Sequence, residues 1–238
     1  MNYGILLAGG MGTRLGLPTP KQFLKLGNKT LLEHTVEKFA LCPYLDHTVV
    51  VVPEIWLEQS HATLEPHGFQ NVSICCGGAT RQDSLFNGLK YLKEQFEITS
   101  DDIAVSHDVA RPFVTTEMIR KNIEVCQQFG AADTVIPAID TIVESTDGQK
   151  ISGVPVRQNM YQGQTPQTFY INSFVEIYQG LTANYLSQVT DAARILSDHG
   201  VSVGLALGDY SNIKVTTLFD LQVANAILNQ YCSRRSAQ

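Results

Sequence analysis

The stretch Tyr3-Gly-Ile-Leu-Leu-Ala-Gly-Gly-Met-Gly-Thr-Arg-Leu-Gly16 governs the reading of this chain. Tyr3 to Ala8 is a short apolar run of strand length, and it opens directly into a loop, Leu7 to Gly16, that holds four glycines. Glycine lets successive backbone N–H groups approach a phosphate and converge on its oxygens. A strand delivering such a loop predicts a nucleotide triphosphate site; a tight turn without a ligand is the plain alternative. The dinucleotide fingerprint fails at Leu15, where it needs glycine, and the Gly-Lys-[Ser/Thr] of the Walker pattern is missing.

Outward from this stretch, short apolar runs alternate with helical patterns. Strands are expected at Thr48 to Val52, Asn71 to Cys75, Ile103 to Ser106 and Ala132 to Pro137. Helices are expected at Leu31 to Leu41, Asp83 to Gln95 and from Thr115 to Gly130. The alternation predicts an α/β fold, a Rossmann-like, mostly parallel sheet flanked by helices. From Ile139 to Met160 the pattern changes: Thr141-Ile-Val, a turn signal at Asp147-Gly148 and Ile151 to Val156 suggest a projecting β-hairpin arm. Such an arm either packs on a partner subunit or folds back as an internal hairpin. Helices at Ile171 to Leu181, Asp191 to His199 and Leu218 to Tyr231, with a strand at Val201 to Leu207, complete a single domain over 1–238.

Composition sets limits. With 238 residues, 44% hydrophobic and 17% charged, the chain can bury a sizeable core. A net charge of -6 with scattered Lys and Arg argues against a nucleic-acid partner. The five cysteines are odd in number and include the adjacent pair Cys75-Cys76, which fits neither a metal knuckle nor a disulfide framework. No apolar run approaches the ~20 residues of a membrane span, and no leader is evident, so no membrane partner and a cytoplasmic location are expected.

Four segments carry chemistry. The first is the glycine loop with Arg14 inside it and Lys21 after it; Pro18 and Pro20 stiffen the approach, so both cations are presented to a polyphosphate. The second, Ser106-His-Asp-Val-Ala-Arg-Pro-Phe113, follows a strand and so lies at the carboxyl edge of the sheet, where open α/β sheets bind ligands. Asp108 suits Mg²⁺ and Arg111 suits a phosphate; a simple Asp108–Arg111 ion pair is the alternative. His107 reads as a hydrogen-bonded structural residue. The third, Tyr161-Gln-Gly-Gln-Thr-Pro-Gln-Thr-Phe169, is rich in amides and hydroxyls that can orient a polyol or a base edge, with a capped turn as the alternative. The fourth, Gly208 to Thr217, presents Lys214, whose role its local sequence leaves undecided, before N-cap chemistry at Thr216-Thr217 and Asp220.

Taken in order, Leu-Ala-Gly-Gly-x-Gly-Thr-Arg14 with Pro20-Lys-Gln22, Gly77-Gly-Ala-Thr-Arg-Gln-Asp-Ser84, His107-Asp-Val-Ala-Arg-Pro112, Gln164-Thr-Pro-Gln167, Thr190-Asp-Ala192 and Asn212-Ile-Lys-Val-Thr216 resemble the sugar-alcohol-phosphate cytidylyltransferases over nearly the whole chain. Two branches are close, acting on 2-C-methyl-D-erythritol 4-phosphate for isoprenoids or on D-ribitol 5-phosphate for wall or capsule polymers. Leu7 before Ala-Gly-Gly10, Asp140-Thr-Ile-Val-Glu-Ser145 and Tyr161-Gln-Gly163 resemble the ribitol branch.

The resemblance implies a cytidylyltransferase with CTP as substrate and Mg²⁺ as cofactor. By it, Leu7, Ala8, Gly9, Gly10, Gly12, Thr13, Gly78, Arg81 and Ser84 bind the nucleotide, and Arg14, Lys21 and Lys214 act in catalysis. Asp108 meets the metal, and Arg111, Thr141, Arg157, Thr165 and Thr190 join Lys214 in binding the acceptor. Thr141 and Arg157 lie in the 139–160 arm, which in this family crosses to a neighbouring subunit, so a homodimer with shared sites is implied. A nucleotide-binding regulatory module without turnover is the reading from another class.

Overall fold

Apolar β-branched runs flanked by amphipathic helices fold here as the alternation requires. A computed structural model describes residues 1–10 and 19–236. Its strands are β1 (Asn2–Leu7), β2 (Lys25–Leu26), β3 (Lys29–Thr30), β4 (His47–Val52), β5 (Val72–Cys76), β6 (Ile103–Asp108), β7 (Ala131–Pro137), β8 (Tyr161–Tyr170) and β9 (Val203–Leu207). The helices are α1 (Leu31–Ala40), α2 (Leu57–Leu64), α3 (Arg81–Gln95), α4 (Thr116–Phe129), α5 (Ile171–Gln179), α6 (Ala183–Leu186), α7 (Ala192–Asp198) and α8 (Leu218–Ser236). No helix among the described residues is long and apolar enough to cross a membrane.

Seven strands form one sheet in the order β5-β4-β1-β6-β8-β7-β9, and β2 and β3 make a separate small hairpin. Every pairing in the large sheet is parallel except those of β8, which runs against both β6 and β7. Both faces are covered, so the central strands are apolar on both sides. Leu6, Val50, Val52 and Val105 pack with Leu32, Val36, Phe39 and Ile119 on one face. Ile5, Leu7, Val49 and Val51 pack with Leu85, Leu89, Phe169 and Phe174 on the other.

Two segments depart from the sequence expectation. Tyr161 to Phe169, expected as a polar binding segment or a capped turn, lies in the ten-residue strand β8, whose inner part, Gln164 to Phe169, is buried. Its polar side chains are satisfied at long range: Gln164 donates to the Asp209 carbonyl, Gln167 to Asp133 and Thr168 to Asn122. The strand also holds a cis Thr165–Pro166 peptide and faces a register shift in β7 between Asp133 and Val135. Gln and Thr at core positions erase the apolar alternation that identifies a strand.

The 139–160 arm turns back at Gly148 as expected, with the Asp147 carboxylate accepting from the Gln149 and Lys150 amides. It forms one antiparallel bridge, Glu144 to Gly153, rather than a ladder. An isolated two-stranded ribbon is marginal in water without a surface to cover it, and Ile139, Val143, Ile151, Val154 and Val156 are all more than half exposed.

Candidate active site

Parallel β1 and β6 lie side by side, with Leu7 in register with Asp108, while the chain leaves β1 toward β4 on the other side. This reversal of direction opens a crevice at the carboxyl ends of the strands. The crevice encloses a cavity of about 240 Å³, a little below the roughly 300–1,000 Å³ of small-molecule pockets.

Leu7, Ala8, Gly9, Gly10, Lys21, Gly78, Arg81, Ser84, Asp108 and Lys214, all expected in the site, line this one cleft. Gly12, Thr13, Arg14 and Pro18 lie outside the described residues. At Gly10 a Cβ would stand 3.0 Å from Lys21 Cε and 3.5 Å from its Nζ, so the missing side chain is what lets the ammonium lie against the loop backbone. A Cβ at Gly78 would fall 2.3 Å from Asp83 Cβ and 3.0 Å from its carbonyl carbon, so only glycine fits there.

The side of the cleft lined by Gly78, Arg81 and Ser84 is shaped by the start of α3. Thr80 and Asp83 form a reciprocal capping box, which starts the helix two residues earlier than expected and places Arg81 in its first turn. The Ser84 hydroxyl accepts from the Gly78 amide at 3.1 Å and donates to the Thr80 carbonyl at 2.8 Å. Tyr178 on α5 donates to Asp83 Oδ1 at 2.8 Å. Hydrogen bonds from Thr80 and then Tyr178 hold the Asp83 carboxyl below its usual range. Thr80→Ala is expected to cost about 1 kcal/mol of stability and to raise the KM for nucleotide more than it lowers kcat, as denaturation and steady-state kinetics would report.

Asp108 is the electrostatic centre. It is 7% exposed; Oδ1 accepts from Arg81 Nε at 3.2 Å and Nη2 at 3.1 Å, and Oδ2 accepts from Lys214 Nζ at 2.6 Å. Burial alone would raise its pKa, but Arg81, Lys214 and then Arg111 overcome that and hold the carboxyl well below the ordinary range. The alternative of a simple Asp108–Arg111 pair does not form: Arg111 Nη1 donates to the Asn212 carbonyl at 2.8 Å. Arg111 Nε is buried without a hydrogen-bond partner among the described residues, a donor suited to an anion.

A second cleft adjoins the first and shares Arg81, Asp108 and Lys214 with it; Arg111, Thr165 and Thr190 line it as expected. Thr141 and Arg157 line neither cleft of their own chain, and Arg157 Nη1 donates to the Ile139 carbonyl within the arm. Gln167, from the amide-rich segment, and Asp191, from the Thr190-Asp-Ala motif, also line the second cleft, together with Asp133, which was not anticipated. Asp133 lies inside a run expected only as a strand, so alternation gave no sign of its surroundings.

His107 has a structural role, and its tautomer follows from its partners. Nε2 lies 3.0 Å from the Arg111 carbonyl, which can only accept, so Nε2 carries the proton. Nδ1 therefore accepts from the Thr165 hydroxyl at 2.9 Å, and that oxygen accepts the Asp108 amide at 3.2 Å. The Thr165 hydroxyl proton is thus committed to His107, which leaves that hydroxyl lining the second cleft without a proton to donate into it. Desolvation lowers the His107 pKa from 6.5 to about 4.

Between those values an unfolded chain binds a proton that the folded one refuses, so this group's contribution to stability falls as pH drops from 6.5 toward 4. Asp133, raised by burial to about 6, acts with the opposite sign over part of that window. The comparison that isolates His107 is therefore a Tm-against-pH curve of the protein minus that of His107→Gln. The difference should shrink on acidification, and a pH-independent difference would remove the neutral-histidine assignment.

The residues as placed do not fit a protein-bound Mg²⁺. Both oxygens of Asp108 are engaged by cations, and no cluster of three His, Cys, Asp or Glu able to hold a metal occurs among the described residues. What the arrangement offers is positive: Arg81 and Lys214 line both clefts, Lys21 the first and Arg111 the second, suited to holding phosphates and to stabilising charge that builds up on them.

Residues 3–230 match the family model described as 2-C-methyl-D-erythritol 4-phosphate cytidylyltransferase, IspD. Among solved structures, 4-diphosphocytidyl-2C-methyl-D-erythritol synthase from Anaerococcus prevotii is 28% identical with a TM-score of 0.81, covering 96% of each chain. The Francisella tularensis 2-C-methyl-D-erythritol 4-phosphate cytidylyltransferase is 30% identical with a TM-score of 0.79, over 94% of this chain and 98% of that one. The Thermus thermophilus enzyme of the same description is 28% identical with a TM-score of 0.72, over 95% and 98%.

Proposed function

The chain belongs to the 2-C-methyl-D-erythritol 4-phosphate cytidylyltransferase family, and on that footing we propose that it transfers CMP from CTP to D-ribitol 5-phosphate, giving CDP-ribitol and pyrophosphate. The observation that carries the reaction class is the junction at which a glycine-lined nucleotide cleft and a second cleft share Arg81, Asp108 and Lys214. A phosphate held by Arg111 and Lys214 in the second cleft would lie beside the α-phosphate of a nucleotide in the first.

The acceptor's phosphate monoester has a second pKa near ~6 and is mostly dianionic at neutral pH, so it needs no general base. One of its oxygens bonds to the α-phosphorus while the bond from that phosphorus to the bridging oxygen breaks, and pyrophosphate leaves. Lys21, with Arg14, would stabilise the negative charge on the triphosphate, and Arg81 and Lys214 that at the reacting phosphates. A divalent cation would arrive as part of Mg–CTP on the phosphate oxygens.

The names of the matched family and structures favour 2-C-methyl-D-erythritol 4-phosphate as the acceptor. This chain's own Leu7, Asp140 to Ser145 and Tyr161-Gln-Gly163 favour ribitol phosphate. Pyrophosphate release with CTP, Mg²⁺ and each acceptor in parallel decides between them: a rate with ribitol phosphate alone supports the proposal, and preference for methylerythritol phosphate replaces it with the isoprenoid reading.

The proposal includes a homodimer through residues 139–160. In its support, the arm exposes five aliphatic side chains, and Thr141 and Arg157 line neither cleft of their own chain. If the arm completes a neighbour's site, mixing inactive Arg157→Ala and Lys21→Ala subunits should restore one working site in each mixed dimer. Absence of recovery, with subunit exchange verified, would remove the crossing arm.

A further inference from the structure

We infer that Asp133 reads the hydroxyl groups of the acceptor and so determines specificity at the second cleft. The inference rests on the proposal that the acceptor is a polyol phosphate.

Asp133 stands on β7 beside the register shift against β8, a kind of irregularity that re-aims side chains. Among the described residues its carboxylate accepts one hydrogen bond, from Gln167 Nε2 to Oδ1 at 3.1 Å. Gln167 is itself fixed, 3% exposed, with its Oε1 accepting from the Ala192 amide at the start of α7. Oδ2 faces Gly163, where a Cβ would stand 3.5 Å away, so the glycine leaves that oxygen uncovered. The cations Arg111 and Arg81 act on Asp133 only through space, without ion-pair contact, and the nearby carboxylate of Asp191 is engaged in capping α7.

A carboxylate in a cleft, desolvated and without an ion pair among the described residues, is costly to keep as a mere brace. Bracing Gln167 needs one acceptor oxygen, which Asn would supply. A carboxylate offers more: it only accepts hydrogen bonds, and its two oxygens can take the O–H groups of neighbouring hydroxyls. It also repels phosphate. The acceptor is thereby oriented with its phosphate toward Arg111 and Lys214 and its hydroxylated tail toward Asp133, attraction and repulsion both contributing to selection.

The test compares the protein with Asp133→Asn, measuring dissociation constants for D-ribitol 5-phosphate, 2-C-methyl-D-erythritol 4-phosphate and hydroxyl-free n-pentyl phosphate, together with kcat/KM for the first two. Hydrogen bonds to a charged group predict a loss of about 10- to 100-fold for the polyol phosphates, with n-pentyl phosphate bound no more weakly, the lost repulsion favouring it, and the KM for CTP unchanged. An equal loss for all three ligands, or no loss for any, overturns the inference and leaves the cytidylyltransferase reading standing. If the unmodified protein releases pyrophosphate with neither polyol phosphate, the acceptor reading falls and takes this inference with it. Asp133→Ser, smaller and also uncharged, supplies the same comparison should the Asn variant fail to fold.

Discussion

Lys21→Ala is expected to lower kcat by about 10²-fold or more, the scale of removing one preorganised donor to transition-state charge, while the Tm stays near that of the parent. Lys21 opens a short 3₁₀ turn directly after Pro20, and its side chain is laid along the Gly10 backbone, so its ammonium is held at the mouth of the nucleotide loop. Because the triphosphate carries most of its charge before reaction, some loss should appear in the KM for CTP. The added charge on the leaving pyrophosphate should place the larger loss in kcat. Single-turnover pyrophosphate release separates the two. A variant with near-parental kcat would strip Lys21 of its catalytic assignment. Arg14→Ala, from the segment outside the described residues, carries the same expectation on sequence grounds alone.

Asp108→Ala should be more damaging still, because it acts on folding and reaction together. Removing one partner of a buried pair leaves the others uncompensated, which costs about 3–5 kcal/mol when all are buried. Here Lys214 is 38% and Arg81 25% exposed, so about 2 kcal/mol is the expected scale. Freed of the carboxylate, Arg81 and Lys214 lose the geometry that sets them at the junction of the clefts, and turnover should fall by about 10³-fold.

The pH dependence follows from the depressed pKa of Asp108. Its contribution to stability is complete above the ordinary carboxylate range and is lost as pH falls below about 4. Asp108→Asn keeps the shape and removes the charge, so it should show the same kinetic defect without that acid-dependent component. Parental activity in the Asp108→Asn variant would mean that the ion-pair centre is dispensable.

Much of this was legible in the residues. The strand–glycine loop–cation order of Leu7 to Lys21 pointed to a cleft lined by Leu7 to Gly10 and Lys21 because its signals are local: glycine spacing, proline stiffening and charge all act within a few residues. The Asp108 to Arg111 segment was correctly placed at the carboxyl edge of the sheet, since any loop after a buried parallel strand emerges there. The ion pairs of Asp108 were not anticipated, because Lys214 lies 106 positions away and Arg81 27. The alternative of an Asp108–Arg111 pair does not form, since Arg111 donates instead to the Asn212 carbonyl.

By itself the sequence determined the alternating α/β architecture, the sheet edge that bears the cleft, and the glycines and cations that gather there. These follow from periodicity and from backbone chemistry that each short segment carries with it. Only the tertiary structure decided that Tyr161 to Tyr170 is an interior antiparallel strand, that the Thr165 hydroxyl is committed to His107, and that Asp133 lines the second cleft. Each depends on hydrogen bonds between residues tens of positions apart. A buried polar side chain reads from its local sequence as a surface group until the distant partner that satisfies it is known.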